Sequence, residues 1–126
     1  MKQIILFILL FSIANCFSQK PDCLKFKKGN FEYTKEEYKR FKVCRDETKQ
    51  FETDTITGLI LEADIVWTSD CSYELTYSKV SFKEAEDALG KTIKVTMLKT
   101  DGNNVLCKTS GIGIELELEM TKLEEQ

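Results

Sequence analysis

The 126 residues include no histidine and a single proline, Pro21. Without histidine the chain lacks the commonest general base, the commonest metal ligand and the usual partner of a serine or cysteine nucleophile. No GxSxG elbow, Walker loop or GxGxxG turn occurs, so serine-hydrolase and nucleotide-phosphate chemistries have no support. Basic charge is also short, with 18 Lys and Arg against 21 Asp and Glu. That balance argues against a nucleic-acid partner, since such a domain normally carries a basic excess to neutralise phosphates. Closely spaced cysteine pairs of the CxxC kind are absent, and so is an EF-hand loop; neither a metal nor a cofactor is expected. Paired acids can run glycosidic chemistry without histidine, which keeps a carboxylate-based hydrolase as the residual enzymatic alternative. The best candidates, Glu115, Glu117 and Glu119, alternate with apolar residues and are read as a solvated strand face.

Long apolar runs are missing too. The only candidate, Ile4 to Phe11, falls well short of the roughly 20 residues that span a bilayer. With Lys2 before it and smaller, more polar residues after it, residues 1–18 have the three-part form of a secretory signal peptide, cut after Ser18. A lipoprotein signal acylated at Cys16 is the weaker alternative, because Asn15 is a poor residue before such a cysteine. The expected location is therefore outside the cytoplasm, periplasmic or secreted, with no transmembrane segment in the mature chain. Residues 19–126 are long enough for a single domain with one modest core.

Export changes how the cysteines are read. Cys16 leaves with the signal, and Cys23, Cys44, Cys71 and Cys107 remain. An even number in an oxidising compartment favours two disulfides over a four-cysteine zinc site. Four cysteines allow three connectivities; Cys23–Cys71 is preferred, with Cys44–Cys107 as a weaker second bond.

Apolar and polar residues alternate through most of the chain. Leu59, Leu61, Ala63, Ile65 and Trp67 share one face, and Cys71, Tyr73, Leu75 and Tyr77 share another after the break at Ser69-Asp70. Ile93, Val95 and Met97 follow, then Val105 to Cys107 beyond the Asp101-Gly102-Asn103-Asn104 turn, then Ile114, Leu116, Leu118 and Met120. This period of two marks half-buried strands. Two shorter strands are expected near Phe41–Arg45 and Gln50–Asp54. Ser81 with Glu84 resembles a capping box and Gly90 suits a helix end, so one helix is expected between Ser81 and Leu89; Thr34 with Glu37 suggests a further single turn. The fold class is all-β with one or two short helices. It is expected as an antiparallel meander curled into a small barrel or half-barrel, with a sandwich as the alternative.

Trp67, Tyr73 and Tyr77 are large side chains on one sheet face, able either to fill a small core or to line an apolar cavity. Arg45 extends the apolar face of Phe41 and Val43 and should point inward, to meet an acidic ligand or, more simply, a carboxylate such as Glu52 or Asp54.

The order of leader, Cys23, GNFEY, VCRDETKQFETD, WTSDCSYELTY, GKTIKVTML and DGNNVLCK resembles a group of small exported proteins of Flavobacteria and other Bacteroidetes. The stretch Trp67-x-Ser69-Asp70-Cys71-x-Tyr73 is the most specific part. The resemblance brings no established activity with it. Members sometimes carry a type IV DNA topoisomerase label, which one small acidic domain without ATPase or cleavage modules does not support. A looser similarity is to lipocalin-like folds, in which Gly-x-aromatic opens the first strand, as Gly29-Asn30-Phe31 does here. That similarity implies a barrel shape more than a ligand.

The leading expectation is an exported, non-enzymatic β-domain binding a small or apolar ligand, with Trp67, Tyr73, Tyr77 and Arg45 near it. The alternative is a protein–protein interaction module, such as an envelope accessory factor or an inhibitor.

Overall fold

A computed structural model describes residues 20–124. The leader at 1–18 and the lipidation alternative at Cys16 lie outside the described residues. Eight strands follow in order: β1 (Gly29–Tyr33), β2 (Phe41–Arg45), β3 (Lys49–Asp54), β4 (Ile60–Ser69), β5 (Ser72–Val80), β6 (Thr92–Asp101), β7 (Asn104–Gly111) and β8 (Ile114–Lys122). Each pairs antiparallel with the next, and β8 returns to β1 through Phe31 opposite Lys122 and Tyr33 opposite Met120. The expected meander is thus a fully closed barrel, small and lipocalin-like, neither a half-barrel nor a sandwich.

Alternation decides which side chains go inside. Ala63 and Ile65 on β4, Tyr73 and Leu75 on β5, Val95 and Met97 on β6, and Val105 and Cys107 on β7 are all buried. Strand β3 inverts the usual polarity: Gln50 is buried and Glu52 half-buried on the inner face, while Phe51 points outward. A register shift between Met97 and Lys99 expels Leu98 to the surface, as a bulge does.

The β7–β8 turn is two residues long, Ile112 and Gly113, both left-handed with φ of 55° and 74°. Two positive values suit the twist of a tight hairpin, but a β-branched residue is a poor occupant of the first. Just before it, Gly111 has φ 128°, and a Cβ there would lie 2.9 Å from the Thr92 carbonyl oxygen. Only glycine lets β7 approach β6 so closely at this point.

The helical pieces among the described residues are three short 3₁₀ turns, Leu24–Phe26, Glu36–Tyr38 and Lys83–Ala88. The helix expected between Ser81 and Leu89 is corrected to the last of these. Ser81 does not cap it; its Oγ accepts the Ile60 amide at 2.8 Å, which pins the end of β5 to the start of β4. The far end of the segment is tied back to β5, since Tyr77 donates to the Lys91 carbonyl and accepts from the Gly90 amide.

The two ends of the barrel differ. One is stoppered by the N-terminal segment: Phe26 is fully buried, packs 6.5 Å from Phe31, and receives Arg45 Nη1 on its carbonyl at 2.8 Å. The Cys23–Cys71 disulfide ties this stopper to the β4–β5 turn. Further bonds run from Lys25 Nζ to the Gly102 carbonyl, from Lys122 Nζ to the Lys25 carbonyl, and from the Asp22 amide to Thr100 Oγ1. The second disulfide expected, Cys44–Cys107, is absent: Cys44 lies exposed on the outside of β2 and Cys107 is buried inside β7, with the barrel wall between them. No helix among the described residues is long and apolar enough to cross a membrane.

Candidate functional site

The opposite end is open. It carries the β1–β2, β3–β4, β5–β6 and β7–β8 connections, and a cavity of about 280 Å³ runs down from it into the barrel. That is near the lower bound of ordinary small-molecule sites, which run from about 300 Å³ upward.

The opening follows from strand lengths. Strand β1 ends at Tyr33, and its last tie to β8 is the Thr34 amide donating to the Glu119 carbonyl at 3.0 Å. The first half of β8 therefore pairs with β7 but has no partner strand on its other side. Its inward residues are consequently not covered, with Ile114 47 % exposed and Leu116 40 % exposed. These two, with Ile112 and Ala88, form an apolar wall around the entrance. Ile56, Phe82 and Leu89 stand exposed on the other connections at this end.

Deeper in, the lining turns polar. Arg45 Nε donates to Gln50 Oε1 at 2.9 Å, and Gln50 Nε2 donates to Glu52 Oε1 at 2.9 Å, so one amide relays between guanidinium and carboxylate. The guanidinium lies 4.6 Å from the Phe31 ring centre and 4.8 Å from that of Tyr73. This sandwich is a cation–π arrangement in a desolvated setting.

Burial sets the protonation behaviour of the floor. Desolvation holds the Glu52 carboxyl above its ordinary range, opposed by its bond from Gln50, by the Arg45 charge and by a bond from Tyr77. Desolvation raises Tyr33 and Tyr77 strongly, and the neighbouring Glu52 charge raises both further. Tyr73 is pushed up to about 12 and the Cys107 thiol to about 11, again mainly by burial. All four stay protonated at neutral pH.

The expected site residues separate into two groups. Arg45, Tyr73 and Tyr77 line the cavity. Trp67 does not; it sits toward the stoppered end, 4.7 Å from Tyr73 ring to ring, with its Nε1 donating to the Glu47 carbonyl and Lys27 over its face. Arg45 also does not pair directly with a carboxylate as expected. Asp54 is engaged by Arg40, through Nε at 2.9 Å and Nη2 at 2.6 Å, and Glu52 is reached only through Gln50. Gln50, Glu52 and Tyr33 are cavity residues that the strand pattern did not single out as a site. The signal was the polar inner face of β3, where Gln50 and Glu52 share the parity of its buried positions.

Among the described residues no group of three or more Cys, Asp or Glu converges as a metal site would require. The described residues thus form an eight-stranded antiparallel barrel, stoppered at one end and hollow at the other. No protein-family model, curated protein or solved structure matches the chain.

Proposed function

We propose that this chain is an exported, non-enzymatic binding protein that holds one small ligand inside the barrel. The ligand has an apolar body lying against Ile93, Ile114, Leu116 and Leu118, and a polar end reaching Tyr77, Glu52 and Gln50. The observation that carries this reading is the cavity itself: a mostly apolar shaft with a few convergent polar groups at its base, the usual composition of a small-molecule site. Export is supported by the leader pattern of residues 1–18 and by the Cys23–Cys71 bond, which persists in an oxidising compartment.

The test is a backbone amide NMR titration with 1-octanol. Shifts should concentrate at Tyr77, Ile93, Thr109 and Leu118, and Ala88→Trp, which fills the entrance, should abolish them. Absence of shifts, or shifts confined to the outer surface and indifferent to Ala88→Trp, refutes the reading.

One observation favours a second reading, a protein-interaction module. The unpaired edge of β8 and the apolar rim formed by Ile56, Phe82, Leu89 and Ile112 are surfaces that a partner strand or loop would cover. Glu115 and Glu117 project outward along that edge and oppose simple strand addition.

A further inference from the structure

Resting on the ligand-binding reading, we infer that the ligand is an amine: a small apolar molecule whose protonated nitrogen docks on Glu52 among the cavity tyrosines. Glu52 sits on the inner face of β3, lining the cavity, and makes no ion pair among the described residues. A carboxylate removed from water without a direct ion pair is unfavourable, and proteins normally pair it or leave it at the surface.

The groups around it are set by four strands. Tyr33 comes from β1, Arg45 from β2, Gln50 from its own strand, and Tyr73 and Tyr77 from β5. Arg45 is the single cation in this set. It is already committed, to the Phe26 carbonyl, to Gln50 and to the faces of Phe31 and Tyr73. An anionic ligand would therefore meet Glu52 as a repelling neighbour and find Arg45 occupied.

A cationic ligand meets the reverse. Gln50 donates to Oε1 and the Tyr77 hydroxyl also bonds to the carboxylate, so both direct donors to Glu52 are neutral and its charge faces the cavity without an ion pair. Tyrosine ring faces attract an ammonium through their quadrupole, and a desolvated site strengthens that attraction. The ammonium then supplies the countercharge Glu52 lacks, and burial of the carboxylate becomes a source of selectivity.

The experiment compares octylamine, 1-octanol and octanoate by isothermal titration calorimetry at pH 7.5, against the wild-type chain and Glu52→Gln. The three probes share the same alkyl body and differ only in head group. A charge-assisted bond in a desolvated site predicts that octylamine binds at least roughly tenfold more tightly than either of the others. In Glu52→Gln, which keeps shape and the Gln50 contact, that preference should collapse to near parity. The wild-type comparison alone suffices if the variant fails to fold. Equal binding of all three, or tightest binding of octanoate, overturns the amine assignment while leaving the cavity reading intact. No binding of any probe overturns both.

Discussion

Breaking the Cys23–Cys71 bond should cost the barrel a large part of its stability without changing its shape. The bond closes a 48-residue loop. In the loop-entropy treatment a 15-residue loop contributes about 3 kcal/mol and a 100-residue loop about 4.7, so this one should contribute about 4 kcal/mol. Most of that acts on the unfolded chain, because the stopper is held in the folded state by other contacts. Lys25, Lys122, Asp22 and Arg45 each bond across to it or from it, and Phe26 is fully buried beneath it. The appropriate variant is Cys23→Ala with Cys71→Ala, since Cys23 is buried and a serine hydroxyl there would need a partner.

A Cys44→Ser background prevents exchange with the exposed thiol. Urea unfolding followed by far-ultraviolet circular dichroism should show a midpoint shift equivalent to about 4 kcal/mol, with a steeper slope because the uncrosslinked chain exposes more surface. For a domain of this size that corresponds to a fall in Tm of about 15–30 °C. The amide NMR spectrum of the folded variant should change only near the stopper and the β4–β5 turn. A loss below about 1 kcal/mol, or spectral changes spread through the barrel, would refute the argument that the bond works on the unfolded chain.

Three other outcomes follow from particular side chains. Replacing Ile112 by Asn should stabilise the protein by about 1 kcal/mol, because Asn tolerates the left-handed backbone that Ile112 is forced to adopt; thermal melts check this, and ligand affinity should fall as the apolar wall is lost. Glu52→Gln should have its effect on stability at higher pH. The folded carboxyl titrates above its ordinary value of 4.5, so its contribution is fully present below that value and is lost as pH rises through the folded pKa. Urea titrations across pH 4 to 8 should therefore show wild type declining relative to the variant, and parallel curves would contradict the assignment. In the native state at pH 8, a thiol reagent should modify Cys44 rapidly and Cys107 far more slowly, since burial pushes the Cys107 thiol to about 11; two equally fast equivalents would mean that the thiol at the cavity floor is not desolvated.

Much of the fold was legible because strand alternation is a local property. Ala63 and Ile65, Tyr73 and Leu75, or Val95 and Met97 announce their buried face within a few residues. The second disulfide was legible as well, in the negative. Cys44 has the opposite parity to Val43 and Arg45, whereas Cys107 shares that of Val105, so the same alternation puts one thiol outside and the other inside. The helix near Ser81 was not legible, because the hydroxyl that fits a capping box is drawn to Ile60, a partner 21 residues away. The site was half legible. Arg45, Tyr73 and Tyr77 were expected on inner faces, but which aromatics stop the barrel and which line the cavity depends on where the N-terminal segment docks. Trp67 lies toward that stopper, and no local pattern around it says so.

The contrast between the two ends bears on why the cavity exists at all. The stoppered end is held by a disulfide, a buried phenylalanine, and lysine and arginine bonds that each satisfy a carbonyl. At the open end local rules are broken together. A β-branched residue takes a left-handed turn position, half a strand lacks a partner, apolar side chains face solvent, and a carboxylate sits inside the barrel without a direct ion pair. Each departure opposes stability, and two of them, the turn residue and the carboxylate, would be relieved by a conservative substitution, Ile112→Asn or Glu52→Gln. Sequences are usually consistent across levels except where function sets a competing demand. Four departures converging on one cavity are what selection for an occupant of that cavity would leave behind.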